Sequence, residues 1–100
     1  MEEKRYRESR VCRLLGNPVV YQLVLLLDAG APMAPGKLAK LTGRKVSTVS
    51  IHLAKLRNAD LVRYNTSGKE TRYWLKHRTE TKGLLRSLER MVEVAATLEP

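Results

Sequence analysis

One cysteine, Cys12, is all the sequence has, so an internal disulfide framework is excluded and a reducing compartment fits. Long apolar runs are missing as well. The longest, Leu23–Leu27 inside VVYQLVLLL, is far shorter than the roughly 20 residues a membrane span requires. The opening MEEKRYRESR is charged and holds no apolar signal-peptide core. These absences predict a cytoplasmic chain with no membrane partner. No repeat, low-complexity tract or internal linker divides it, so residues 1–100 read as a single domain. A monomer of that length buries roughly 65% of its unfolded surface, enough to fold without covalent staples.

Reactive constellations are equally scarce. The chain shows no nucleophile–base–orienter set, no phosphate-cradling glycine loop and no paired carboxylates, so neither catalytic residues nor an enzyme are expected. Cys12, His52 and His77 are isolated in sequence, whereas tetrahedral zinc needs three or four ligands. Glu89 and Glu93 stand four apart with no imidazole or thiolate beside them, a set that favours hard cations over zinc, copper or nickel. No metal and no cofactor is therefore expected. Cys12 reads as a small packing residue of the first helix, with an oxidation-sensitive interface thiol as the lesser alternative.

What the sequence has is positive charge, and it is unevenly placed. Of a net +9, residues 1–27 carry +2, 28–43 carry +1, 44–76 carry +6 and 77–100 carry none. A solvated charged face is the common cause of such runs. A localised excess is also the footprint of a polyanion binder, because neutralised phosphates release counterions. The uneven distribution favours the second reading.

Residues 3–15 suit a helix with Tyr6, Val11, Leu14 and Leu15 near one face. Asn17-Pro18 ends it and starts a second helix over 18–28, with Asn as N-cap and Pro at the first helical position. That helix is apolar on most sides and predicts the central buried element. Ala29–Pro35 reads as a loop, with Gly30 suited to a helix C-cap. Pro35 opens a short helix to about Leu41, with Leu38 and Leu41 pointing inward. Thr42-Gly43 is a sharp turn, and Gly43 suits a left-handed conformation there.

The next helix, 46–58 within RKVSTVSIHLAKLR, places Val46, Val49, Leu53 and Leu56 on a buried stripe. Its other faces carry Ser47, Thr48, Ser50, Ile51 and His52, short side chains suited to close approach of another polar surface. Two helices joined by a short glycine turn make a helix-turn-helix, here 35–58 in a helical core 18–60. Then the period changes. LVRYN (61–65) and TRYWL (71–75) alternate around TSGKE, predicting a hairpin with Gly68 at its turn. If Val62, Tyr64, Tyr73 and Leu75 face the core, Arg63, Asn65, Arg72 and Trp74 face out. A helix-turn-helix followed by a basic hairpin (61–76) is a winged helix. The fold class expected is mostly α with a small β-hairpin, about five helices plus a two-stranded wing.

A last helix over 79–99 repeats Leu84, Leu88, Met91, Ala95 and Leu98 at spacings of four and three, a coiled-coil-like seam that Leu85 and Val92 widen. Such a helix has two surfaces to cover, and a partner subunit covers one. With the amphipathic first segment, represented by Tyr6 and Val11, the seam predicts a homodimer.

LGNP (15–18), KLAKLTG, STVSIHLAKLRNADLV and the Tyr-x-Leu close of the wing resemble the ArsR-like winged-helix transcription regulators of bacteria and archaea. The resemblance implies a homodimer built on the first and last helices that binds palindromic operator DNA through helix 46–58 and the wing, expected as a repressor. Three residues depart from the family's pattern: Val20 and Ile51 stand where basic residues are usual, and Asp60 where Gly usually ends the helix. Asp tolerates left-handed geometry better than most residues, so the turn is expected to survive. The DNA contacts expected are Arg44, Lys45, Ser47, Thr48, Ser50, Ile51, His52 and Lys55 from the helix and Arg63, Lys69 and Arg72 from the wing. Ser or Thr can donate to phosphates or bases, His52 can reach a phosphate while neutral, and Ile51 suits a thymine methyl. For Ser47 a plain helix cap, and for His52 a satisfied surface histidine, are the structural alternatives. A protein-interaction or architectural module without sequence-specific regulation is the second functional reading.

Overall fold

The computed structural model describes residues 1–98, with side-chain surroundings through Ala96; the expected seam residue Leu98 has its side chain outside the described residues. The chain runs α1 (Glu3–Leu15), α2 (Pro18–Ala29), α3 (Pro35–Thr42), α4 (Val46–Asn58), β1 (Val62–Ser67), β2 (Glu70–Leu75) and α5 (Arg78–Leu98). This is the winged helix-turn-helix arrangement. Among the described residues no single helix is long and apolar enough to cross a membrane.

The corner between α1 and α2 is local chemistry. Asn17 Oδ1 accepts from the Val19 and Val20 amides at 2.9 and 3.3 Å, and Pro18 supplies a preset φ where no amide is needed. The two helices meet at 94°. α2 buries Val20, Leu23, Val24 and Leu27, and the core closes on Leu38, Val49, Leu53, Leu56, Val62, Leu75 and Leu85. Gly30 follows α2 and donates to Leu26 O at 3.2 Å, but with an extended backbone (φ −124°), so no left-handed cap is used.

Three inward expectations are corrected. Leu41 is 49% exposed, and Ala39 is buried instead. On a helix of 3.6 residues per turn the buried face of α3 lies between Leu38 and Ala39, which turns Leu41 outward. Thr42, one turn beyond Leu38, takes the inward side and returns its hydroxyl to Leu38 O at 2.8 Å. Val46 is 50% exposed, because it opens α4 beyond the edge of the core and the buried stripe begins at Val49. Cys12 is exposed, because it borders the open groove that Leu15 also lines rather than the packed core.

The hairpin pairs Val62 with Leu75 through Ser67 with Glu70, and Gly68 (φ 62°) turns it. Val62 and Leu75 are buried, Tyr73 and Trp74 half-buried and Tyr64 exposed. The tract Ala29–Pro35 is more than a loop. Met33 and Tyr73 exchange two backbone hydrogen bonds of 3.0 and 2.8 Å, so a single residue covers the free edge of β2. Pro32 and Pro35 have no amide to give, which limits this pairing to its short length.

α5 is tied to α2 at its start. Arg78 Nη2 donates to Asp28 O at 2.9 Å, and Lys82 Nζ stands 3.3 Å from the Asp28 carboxylate. Leu85 is buried, Leu84 and Leu88 are partly open, and Met91 and Val92 are 66% and 69% exposed. Because the α1–α2 corner hangs on Asn17, Asn17→Ala should cost about 1 kcal/mol. At matched protein concentration that lowers the thermal midpoint by about 4–8 °C for a domain of this size.

Candidate nucleic-acid interface

The turn between α3 and α4 is held by Gly43 at φ 68° and ψ 23°. Its amide and that of Arg44 both donate to Ala39 O. A left-handed residue here brings α4 back across α3 within three residues, and glycine adopts it without a side-chain penalty. Lys45 follows in extended geometry as the N-cap of α4, and no side chain caps that helix. Ser47 is therefore not a capping residue. Its side chain is exposed.

Burial of Val49, Leu53 and Leu56 sets the rotation of α4. The face opposite carries Ser47, Ile51, Lys55 and Asn58, all exposed, with Ile51 58% exposed and Ser50 at its border. A β-branched apolar side chain so exposed at the centre of a polar face suits contact with a methyl group or another apolar surface. Thr48 and His52 are half-buried at the other border. His52 Nδ1 is buried, and among the described residues no protein group hydrogen-bonds it. Arg44 and Lys45 are exposed at the amino end, where uncapped amides and the helix dipole favour an anion.

On the wing, Arg63, Lys69 and Arg72 are all exposed. Arg63 and Arg72 lie on one face of the hairpin with Asn65 and Trp74, as the alternation requires. Arg72 is paired with Glu70 at 3.0 Å, an exposed and weak pair that a phosphate can displace. The structure thus brings Ser47, Ile51 and Lys55 onto the outer face of α4, leaves Ser50 at one border and the half-buried Thr48 and His52 at the other, and sets the wing cations on the hairpin next in the chain.

Several features were not singled out in the sequence. Asn58 shares the outer face of α4, and helical periodicity alone locates it there. Arg57 stacks 5.2 Å over the Tyr64 ring, which packs at 5.4 Å on Tyr73, so the end of α4 is braced against the wing. Asp60 keeps the left-handed turn expected of it, at φ 64°, but the reach of its carboxylate to Lys76 Nζ at 2.5 Å and His77 Nε2 at 3.3 Å was not foreseen. No spacing rule relates residue 60 to residues 76 and 77 before the hairpin is folded. Among the described residues no group of three or more His, Cys, Asp or Glu is placed to hold a metal ion.

The Lys76 hydrogen bond first, then that of His77, holds the Asp60 carboxyl below its ordinary value of 3.8. A depressed carboxylate contributes stability above its unfolded value and loses it as pH falls through the folded one. The clamp is therefore intact at neutral pH and released only in acid. A carbon-detected titration of Asp60 should give a midpoint below 3.8, and Lys76→Met should move it up more than His77→Ala does.

With this geometry in view, comparison with known proteins is informative. A family model described as a helix-turn-helix domain matches residues 15–65. No curated protein matches the chain in sequence. Among solved structures it is similar to the transcriptional repressor BigR from Xylella fastidiosa, at 28% identity and a TM-score of 0.77 over 89% of this chain and 90% of that one. NolR from Sinorhizobium fredii is 25% identical with a TM-score of 0.79, covering 89% and 87%. A homodimeric winged helix-turn-helix DNA-binding domain from Mycobacterium bovis is 24% identical with a TM-score of 0.72, covering 97% and 88%. The last of these speaks to the fold alone.

Proposed function

We propose, from the premise that this chain belongs to the helix-turn-helix domain family, that it is a transcription regulator reading double-stranded DNA with α4. One observation carries the reading: the helix-turn-helix and wing coincide with the basic excess, +6 over residues 44–76, displayed on exposed side chains. α4 has 13 residues, about 20 Å of helix, and its short outer side chains fit a major groove about 12 Å wide. Ser47, Ser50 and Ile51 meet base edges, with Thr48 and His52 at the flank. Arg44, Lys45 and Lys55 hold phosphates beside the helix, while Arg63, Lys69 and Arg72 hold them under the wing. The assignment is one of binding, with no catalytic step, metal or cofactor, in the cytoplasm.

The regulator acts as a homodimer. Between α1, α2 and α5 lies a groove of about 860 Å³ lined by Leu15, Tyr21, Leu25, Leu84, Leu88 and Val92. A second copy's α1 and α5 fill it, with Tyr6, Val11, Met91 and Ala95 extending the contact. Two helices per subunit suffice for the roughly 1,200–2,000 Å² of a specific interface. A two-fold pair of α4 helices calls for an operator with inverted symmetry. Repression is the mode assigned, as in the repressor BigR to which the chain is similar.

Selection of bound sequences from random duplex DNA should return an inverted repeat; equal affinity for every duplex would leave an architectural binder instead. Arg72→Ala should weaken binding to all sequences and flatten the log affinity against log salt slope by about one unit. Ser50→Ala or Ile51→Ala should change the preference between sequences. An unchanged slope for Arg72→Ala would remove the wing from the interface.

The dimer has its own test. Leu88→Glu places a charge in the seam, and the variant should sediment as a single chain at micromolar concentration. Its DNA affinity should fall with the loss of the second half-site. A wild-type protein that itself sediments only as a single chain rejects the dimer.

A further inference from the structure

Asp60 is the one residue other than glycine with positive φ among those described, and its backbone work is that of a glycine. Its amide donates to Arg57 O at 2.9 Å, and that of Leu61 to Leu56 O at 2.9 Å, so the chain leaves α4 and turns into β1. Glycine would serve this turn at lower conformational cost. It would not supply the carboxylate. Oδ1 accepts from Lys76 Nζ at 2.5 Å and Oδ2 faces His77 Nε2 at 3.3 Å, just beyond the end of β2. The Lys76 amide donates to Leu61 O at 3.0 Å beside them. One side chain thus joins the residue before the hairpin to the two residues after it. Arg7 and Arg10 of α1 and Asn58 of α4 line a small cavity of about 80 Å³ with Asp60, so α1 also faces this junction.

The hairpin needs such a fixture. Arg63–Ser67 are exposed, and a two-stranded hairpin is marginal by itself. Burial of Val62 and Leu75 keeps its base on the core, and Met33 pairs with one edge. The Arg57–Tyr64 stack braces one face of the hairpin, and the contact that ties its two ends together at the end of α4 is the Asp60 carboxylate. We infer that Asp60 is the positioning residue of the wing, its carboxylate holding both ends of the hairpin against the end of α4 so that the wing presents its cations in one pose. The consequence for DNA rests on the reading proposed above; the holding of the wing does not.

Charge makes the inference testable by sign. Removing an acidic side chain from a polyanion binder, and freeing Lys76 with it, raises affinity by electrostatics alone. Loss of positioning lowers it. Asp60→Gly accepts the left-handed backbone and deletes the carboxylate; Asp60→Asn keeps an acceptor without the charge. Amide exchange of the free protein should quicken about threefold to fivefold at Lys76 and along β1 and β2 in Asp60→Gly, with the Leu53 amide unchanged. Affinity for the selected duplex should fall by a similar factor, and Arg72→Ala should then add little to the loss. Asp60→Asn should fall between. Higher affinity in Asp60→Gly, unchanged wing exchange, or equal acceleration in wing and core would each overturn the inference. A wild-type protein that binds no duplex at all refutes the DNA reading separately, and the exchange measurement still decides whether Asp60 holds the wing.

Discussion

What α4 shows to the outside is dictated by what it hides. Val49, Leu53 and Leu56 are completely buried, and no other rotation of a 3.6-residue helix buries all three. Turning α4 by one position would expose a leucine and bury a serine or lysine without a partner, at a cost of several kcal/mol. Ser47, Ile51, Lys55 and Asn58 are outward because that stripe is inward. The rest of the molecule follows from holding it there. α2 supplies the opposite wall, α3 and Gly43 bring α4 in at the required angle, and the buried base of the wing closes the far end.

That dependence explains which parts could be read from the chain. Helix 46–58, the Asn17-Pro18 corner, the Gly43 turn and the two strands are written in local chemistry: a period, a cap, a residue that tolerates positive φ. Asp60 was placed as a left-handed position through the resemblance, because it stands where the family usually has Gly; Asp tolerates positive φ but does not by itself call for it. Its partners Lys76 and His77 were not legible, since they approach only after the hairpin has closed. The Met33–Tyr73 pairing was hidden for a related reason: a single paired residue, in the two-residue stretch between Pro32 and Pro35, has no period to detect. Leu41 and Val46 were misplaced by the opposite error. An apolar residue at the right spacing was taken as inward, whereas each lies where its helix has passed the edge of the core. The outward face of α4 was recoverable because the stripe was; what lies against it is a tertiary matter.

The distribution of charge and the distribution of apolar surface assign different work to different ends of the chain. Residues 77–100 carry no net charge, and α5 leaves Met91 and Val92 largely uncovered while, among its described side chains, only Leu85 is buried in the core. A neutral apolar helix is poorly suited to phosphates and well suited to its own copy, since like charges do not oppose the approach. Residues 44–76 have the reverse character: +6, with their apolar side chains mostly already spent on the core. The proposed self-association and DNA surfaces thus share no residue, and a substitution in one leaves the other chemically intact.

The two surfaces are nevertheless mechanically joined. Asp60 stands where α4 ends, where the wing begins and ends, and beside Arg7 and Arg10 of α1, while His77 leads directly into α5. The contacts at this junction are exposed and charge-assisted, whereas the core on either side is close-packed and resists small displacements. Exposed ion pairs are individually weak, which is a disadvantage for stability and a suitable property for an adjustable link. A buried apolar contact at this point would fix the wing just as firmly but would move only with the core. On the inference drawn above, the carboxylate ties the wing through exposed contacts while α4 stays anchored by the buried Val49, Leu53 and Leu56.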